Sequence, residues 1–434
     1  MRDIIAMVLA GGRVEDMSVL TALRPKAALT FAGQYRIIDF ALSGLMDADL
    51  ERVGVVSLYR PSSLIDHLGS GEPWDFIGRG RGAKVLPPYL GQSSGKWYRG
   101  TTDAIWHNTN FITDHDPEHV LILSGDHVYN LNFAEMIAEH RDTKADLTMA
   151  VKDMEPSMGR GRYGFAQVDE ANRVVGYEEK PQEPKSRLAS LTVYLFRTKV
   201  LLELLEKGLT EFSTYQLYSD VIPVAIAQYD VRAYTYDGYW NYSRSVDEYH
   251  EAHKDLLGDD PLIDLEHWPI RTRKVLRGLG DMPPARFGEH ASCDDCIICP
   301  GASIFGSVTS SVLSPGVCVE QGAVVTNSVL WDNVVVRKDA VIDGVVMDRS
   351  VEVGRGALVG SGDILGPNRT SPHALSSGVT VVGKNTHIPP NAIIGRNCIL
   401  HPNLSQDDFR GGEKKRQVML SSGGTLGGNH GGDA

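Results

Sequence analysis

Over its first 250 residues the chain alternates short unbroken apolar runs with stretches whose apolar residues recur at helical spacing. Ile4 to Ala10 is a continuous apolar run closing on Gly11 and Gly12, which predicts a buried parallel strand opening into a loop. Arg36 to Leu50 sets Ile37, Phe40, Ala41 and Leu45 at helical spacing, Val53 to Leu58 predicts a strand, and Ala104 to Thr113 a helix. His119 to Ser124 predicts a second buried strand, running into Gly125 and Asp126. Asn132 with Glu135, and Ser245 with Glu248, have the spacing of helix-opening capping boxes; the second helix should reach about Leu257. Strands followed by helices predict βαβ units and a mostly parallel sheet, whose ligand site lies at the carboxyl ends of the strands. Gly11 and Gly125 belong on that edge.

From Gly258 to Phe287 the periodicity vanishes, and Pro261, Pro269, Pro283 and Pro284 mark a linker. From about Ile298 the pattern changes again. Short Val/Ile segments recur about every six residues with Gly and small residues between, as in Val319 to Val324, Val353 to Leu358 and Ile388 to Ile393. A six-residue period predicts a parallel β-helix in which each coil stacks on the last. Asp363 to Gly378 interrupts it as an excursion loop. The expected organisation is a first domain over 1–257, a linker over 258–290, the coil over 291–405 and a flexible Gly-rich tail over 406–434.

Composition narrows the chemistry. With 43 Lys+Arg against 55 Asp+Glu, the net charge of -12 argues against nucleic-acid binding, so an anionic ligand must be held by a few placed cations and backbone amides. No apolar run approaches the ~18 residues of a membrane helix, and the first residues do not read as a signal peptide. Five cysteines, an odd number, argue against a disulfide framework. A cytoplasmic location is expected. Cys293, Cys296 and Cys299 have the spacing of a metal site, but the hexapeptide pattern around them favours small residues of a coil interior, and no metal is expected there.

The glycine pair at Gly11 and Gly12, with Arg13 and Lys26 downstream, suggests a loop whose amides face phosphate oxygens. The run from Leu9 to Arg13, continuing to Arg36-Ile37-Ile38-Asp39-Phe40, resembles the opening of the sugar-nucleotide pyrophosphorylases, specifically the ADP-glucose pyrophosphorylases. The resemblance continues in order through Trp97-Tyr98-Arg99-Gly100-Thr101, Leu123 to Tyr129, Glu179-Lys180-Pro181 and Trp268 to Thr272, covering essentially residues 3 to 400. It implies an α/β fold: a nucleotidyltransferase-like (Rossmann-like) mixed-sheet domain followed by a left-handed parallel β-helix. The implied reaction joins ATP and glucose 1-phosphate into ADP-glucose and pyrophosphate, for glycogen synthesis, with Mg2+ as cofactor. By the same resemblance Asp126 is a magnesium ligand and Lys26 a catalytic cation. Gly11, Gly12 and Arg13 lie along the nucleotide, and Tyr98, Gly164, Glu179, Lys180 and Ser190 bind substrate. A homo- or hetero-tetramer, in the latter case with a catalytic paralogue, is implied as well.

The sequence departs from that family at charged positions. The family opens G-G-x-G-T-R-L, and its Arg, which contacts the triphosphate, is replaced here by Asp16. At 5 Å and an effective dielectric of 20, each unit charge is worth roughly 3 kcal/mol. The aspartate of the family's Y-W-R-D segment, a second metal ligand, is Tyr242, and a sugar-contacting aspartate is Gln216. These losses leave open a second reading, a non-catalytic subunit that binds sugar phosphate or nucleotide and modulates a catalytic paralogue. Glu15 or Asp16 holding magnesium in a rearranged loop, and an acyltransferase using His387, are lesser alternatives.

Overall fold

The computed structural model describes residues 1–88, 98–211, 214–274, 282–410 and 418–428. Packing divides the chain into two compact units: Met1–Gly12 with Ile37–Trp240, and Arg13–Arg36 with Asn241–Ala434. The helix Val246–Lys254 and the segment 13–36 therefore pack with the coil, so the packing boundary does not follow the composition boundary expected at 257.

The first unit is built on a nine-stranded mixed sheet. Its parallel part runs in the order His119–Ser124, Ile4–Leu9, Arg52–Val56, Gly82–Leu86. Ile4 to Val8 are buried without exception, as a strand covered on both faces requires. Leu188–Arg197 then pairs antiparallel with His119–Ser124, with Leu147–Asp153 and with Gly164–Val168, which makes the sheet less parallel than the strand–helix alternation suggests. The helix Ile37–Asp47 buries Ile37, Phe40, Ala41 and Leu45. The helix expected over 104–113 is instead two short ones, Thr101–Trp106 and Thr109–Thr113. Asn108 breaks it: its side-chain amide donates to the Ala104 carbonyl at 2.8 Å and to the Tyr98 hydroxyl at 3.1 Å, which competes with the helix's own bonds. The Asn132 side chain accepts from the amide of Glu135, opening the helix Phe133–Thr143 as the capping box predicts.

The second unit is a left-handed parallel β-helix carrying the segment 13–36. Val308, Val325, Ile342 and Val359 stack in register at intervals of 17 residues, three hexapeptide edges per turn. These residues are at most 1% exposed and line one continuous core. No strand occurs between Leu358–Val359 and Thr380–Val382, which accommodates the excursion at 363–378. The coil begins before the expected boundary, with Arg286–Phe287 on Ser303–Ile304. It also extends past 405, because Met419–Leu420 and Thr425–Leu426 pair with Ile393–Ile394 and Ile399–Leu400. The segment 13–36 holds to this unit through a buried cluster: the Tyr249 hydroxyl donates to the Thr30 carbonyl, and Trp331 Nε1 donates to the Tyr249 hydroxyl at 3.1 Å. No helix among the described residues is long and apolar enough to cross a membrane.

Candidate functional site

Leu9 stands opposite Ser124 at the carboxyl end of two adjacent parallel strands, and the amide of Gly125 donates to the Leu9 carbonyl at 2.9 Å. Gly11, Gly12 and Asp126 therefore leave the sheet on the same edge, where an open α/β sheet binds its ligands. Gly11 is pressed against the chain leaving the next strand. Its carbonyl accepts from the Tyr59 amide, and a Cβ would stand 2.7 Å from the backbone nitrogen of Leu58. A Cβ at Gly12 would meet no described atom within 4 Å, so the chain is not crowded on that side of the loop.

The Asp126 side chain is 18% exposed. The Ser124 hydroxyl donates to Asp126 Oδ1, and His127 Nε2 lies 3.7 Å from the same oxygen. A partly exposed carboxylate at this edge fits magnesium, which keeps several waters and is held by one or two carboxylates plus substrate phosphates.

Glu179 and Lys180 end the strand Val174–Glu179, with Lys180 Nζ 3.3 Å from Glu179 Oε1. Lys180 has a positive φ of 47, which turns the chain out of the strand, and its ammonium lies 5.1 Å from the Tyr218 ring centroid. Behind the pair stands a residue the sequence reading did not single out. Tyr177 donates its hydroxyl to Glu179 Oε2 at 2.8 Å, and burial pushes its phenol well above the ordinary tyrosine range. Residues two apart on a strand share a face, so the Tyr177–Glu179 spacing is a signal the sequence does carry. Gly164 leaves room for this bond, since a Cβ there would fall on the Tyr177 hydroxyl. Ser190 lies within 3.1 Å of the Tyr194 hydroxyl, brought there by a register shift and a positive φ of 55 at Thr192. Burial raises the Tyr194 phenol to about 12. Tyr177 and Glu179 on the strand Val174–Glu179, with Lys180 just past its end, and Ser190 and Tyr194 on Leu188–Arg197 thus flank the intervening strand Gly164–Val168.

Tyr98 is 9% exposed, its ring stacked on His107 and its hydroxyl accepting from Asn108 and donating to the Pro87 carbonyl. Trp97 lies outside the described residues. Gln216 accepts from the Thr101 hydroxyl at 3.2 Å, so the amide replacing the expected aspartate ties two loops together.

Arg13, Asp16, Lys26 and Tyr242 belong to the second unit. Arg13 and Asp16 are exposed, Asp16 in the first turn of the short helix Glu15–Thr21. Lys26 is 1% exposed, and its ammonium lies 3.8 Å from the Tyr242 ring centroid. The tyrosine standing in place of the expected aspartate therefore offers Lys26 a π face where a carboxylate would have offered a charge. Cys293 is exposed, Cys296 partly buried and Cys299 buried, along and just beyond the strand Ser292–Ile298. Among the described residues, the metal-capable donor atoms that converge within 4.8 Å are instead those of Asp3, Glu118 and His119, at the opposite end of the strands from Gly11 and Asp126.

Residues 5–258 match the nucleotidyl transferase family, and residues 283–382 match the GlmU-like C-terminal hexapeptide family. Fold and site define a nucleotidyl transferase extended by a hexapeptide coil. The chain is 42% identical to a glucose-1-phosphate adenylyltransferase of Thermomicrobium roseum, across 95% of this chain and 96% of that one. It is 35% identical to that of Acetivibrio thermocellus across 94% and 95%, and 38% identical to that of Thermotoga maritima across 94% and 96%. The chain belongs to the glucose-1-phosphate adenylyltransferase family.

Proposed function

We propose that this chain transfers the adenylyl group of ATP to glucose 1-phosphate. A phosphate oxygen of the sugar forms a bond to the α-phosphorus, the bond from that phosphorus to the bridging oxygen breaks, and pyrophosphate leaves with the bond electrons. The observation that carries the reading is the register of Leu9 on Ser124, which puts a glycine loop and a carboxylate on one ligand edge of a nucleotidyl transferase sheet. In this reading the amides of Gly11 and Gly12, with Arg13 and Lys26, hold the triphosphate. Lys180 meets the sugar phosphate, while Glu179, Tyr98, Gly164 and Ser190 shape the sugar subsite. Asp126 would hold magnesium, which would supply neutralisation of phosphate charge there. Little covalent chemistry falls to the protein, and positioning does most of the work.

We further propose that the coil joins copies of the chain, or this chain and a catalytic paralogue, into a tetramer in the cytoplasm. Pyrophosphate release from ATP, glucose 1-phosphate and magnesium by the purified chain tests the proposal, with ADP-glucose identified as product. Release that needs no glucose 1-phosphate, or no release alone or with a paralogue, would overturn it.

A further inference from the structure

We propose that His127 is a positioning residue for Asp126, held in a single tautomer by Trp240. The inference rests on the reading of Asp126 as a magnesium ligand. The indole Nε1 of Trp240 lies 3.2 Å from His127 Nδ1, across 113 residues of sequence. An indole nitrogen can only donate, so His127 Nδ1 accepts and carries no proton. With Nδ1 accepting, the ring proton has only Nε2 to occupy, the nitrogen 3.7 Å from Asp126 Oδ1. That separation is longer than a hydrogen bond, so the two groups interact as a neighbouring dipole and charge.

The lock is built to hold its geometry. Trp240 is 9% exposed and His127 4%, and the two rings meet edge to face with centroids 5.7 Å apart. Tyr163 packs on the indole at 4.8 Å, which restrains its rotation. With the opposite tautomer, His127 would turn a lone pair toward the carboxylate and repel it. With the tautomer that Trp240 selects, the Ser124 hydroxyl donates to Oδ1 and the protonated His127 nitrogen stands near the same oxygen, which favours one direction of the carboxylate before any cation arrives. Groups that orient a metal ligand in this way commonly change metal affinity by ten- to a hundredfold.

The test has two independent readouts on the full chain. In protein labelled with nitrogen-15 at histidine, the His127 ring should show a protonated Nε2 and an unprotonated Nδ1, assigned by the loss of its signals in His127→Gln. A protonated Nδ1, alone or with Nε2, overturns the lock. The second readout is binding of Mn2+ alone, measured by the paramagnetic resonance of the free ion. Asp126→Asn should weaken it tenfold or more, and Trp240→Phe and His127→Asn about tenfold. His127→Gln, whose amide nitrogen falls near the position of Nε2, should stay within about twofold of the parent. Thermal melts confirm that each variant is folded. If Asp126→Asn weakens binding but Trp240→Phe does not, the lock fails and the site reading stands. If Asp126→Asn binds Mn2+ as the parent does, the reading of the site fails and the lock has no cation to serve.

Discussion

The guanidinium of Arg24 lies 2.8 Å from Asp348 Oδ2, although 324 residues separate the two in sequence. Both are buried, and Arg24 also stands 5.2 Å from the Trp331 ring centroid. The segment that follows the glycine loop is thereby tied to the wall of the coil by a desolvated ion pair. Burial pushes the Asp348 carboxyl above its usual range while Arg24 opposes that rise. Removing one member of such a pair leaves the other charge buried and uncompensated, at a cost of about 3–5 kcal/mol. Asp348→Asn should therefore lower the unfolding free energy by about that amount in urea. Replacing both members with apolar residues of similar volume should cost less than either single change, and an equal or larger loss would refute the account.

Two histidines make stability depend on pH, one in each unit. Burial depresses His140, hydrogen-bonded through Nδ1 to the Thr148 hydroxyl, to about 3, and depresses His253 to about 3. Both titrate near 6.5 when the chain is unfolded. Between about pH 6.5 and 3 the unfolded chain binds protons that the folded chain does not, so stability rises with pH across that window. Each histidine contributes a slope approaching 1.36 kcal/mol per pH unit inside it. Urea unfolding measured from pH 7 down to pH 4 should show this loss, and His140→Gln should flatten the curve. An unchanged slope in that variant would count against the assignment.

The sugar-phosphate role of Lys180 is open to a direct measurement. Its ammonium is partly exposed beside Glu179, so an arriving phosphate can meet it without dismantling the fold. Charge-assisted contacts to phosphate are worth ~1.5–3 kcal/mol. Lys180→Ala should weaken glucose 1-phosphate binding about tenfold or more in calorimetry, and equal binding by both proteins would refute the role. Tyr177→Phe should produce a smaller loss through Glu179, which would be left without its 2.8 Å donor.

Catalysis should be limited by Asp16 and Tyr242. Losing one transition-state donor commonly costs ~10²–10³ in rate, and a carboxylate at Asp16 adds repulsion toward phosphate. Tyr242 stacks on the Lys26 ammonium and supplies no metal-binding carboxylate. The unmodified chain alone should turn over slowly with ATP. The double change Asp16→Arg with Tyr242→Asp should raise the rate more than either single change, because both act on one transition state and couple. A parent rate in the ordinary enzyme range, ~1–10³ s⁻¹, would sink this prediction.

What the amino-acid sequence by itself determined was whatever repeats or is capped locally. The apolar run Ile4 to Leu9, the caps at Asn132 and Ser245 and the hexapeptide period each declare an element within a few residues, because burial and backbone bonding there follow a short period. The shared edge of Gly11 and Gly125 was legible for the same reason: parallel strands end where their glycines begin. Tertiary structure alone decided the rest. Asn108 splits a helix that its apolar spacing supports, because a side-chain bond to Ala104 and Tyr98 outcompetes a turn of helix. The packing of 13–36 with the coil, the Arg24–Asp348 pair, the Lys26–Tyr242 stack and the Trp240–His127 bond all join residues far apart along the chain. Such contacts leave no period in the sequence, since they depend on which surfaces the folded backbone brings together and on how deeply it removes them from water.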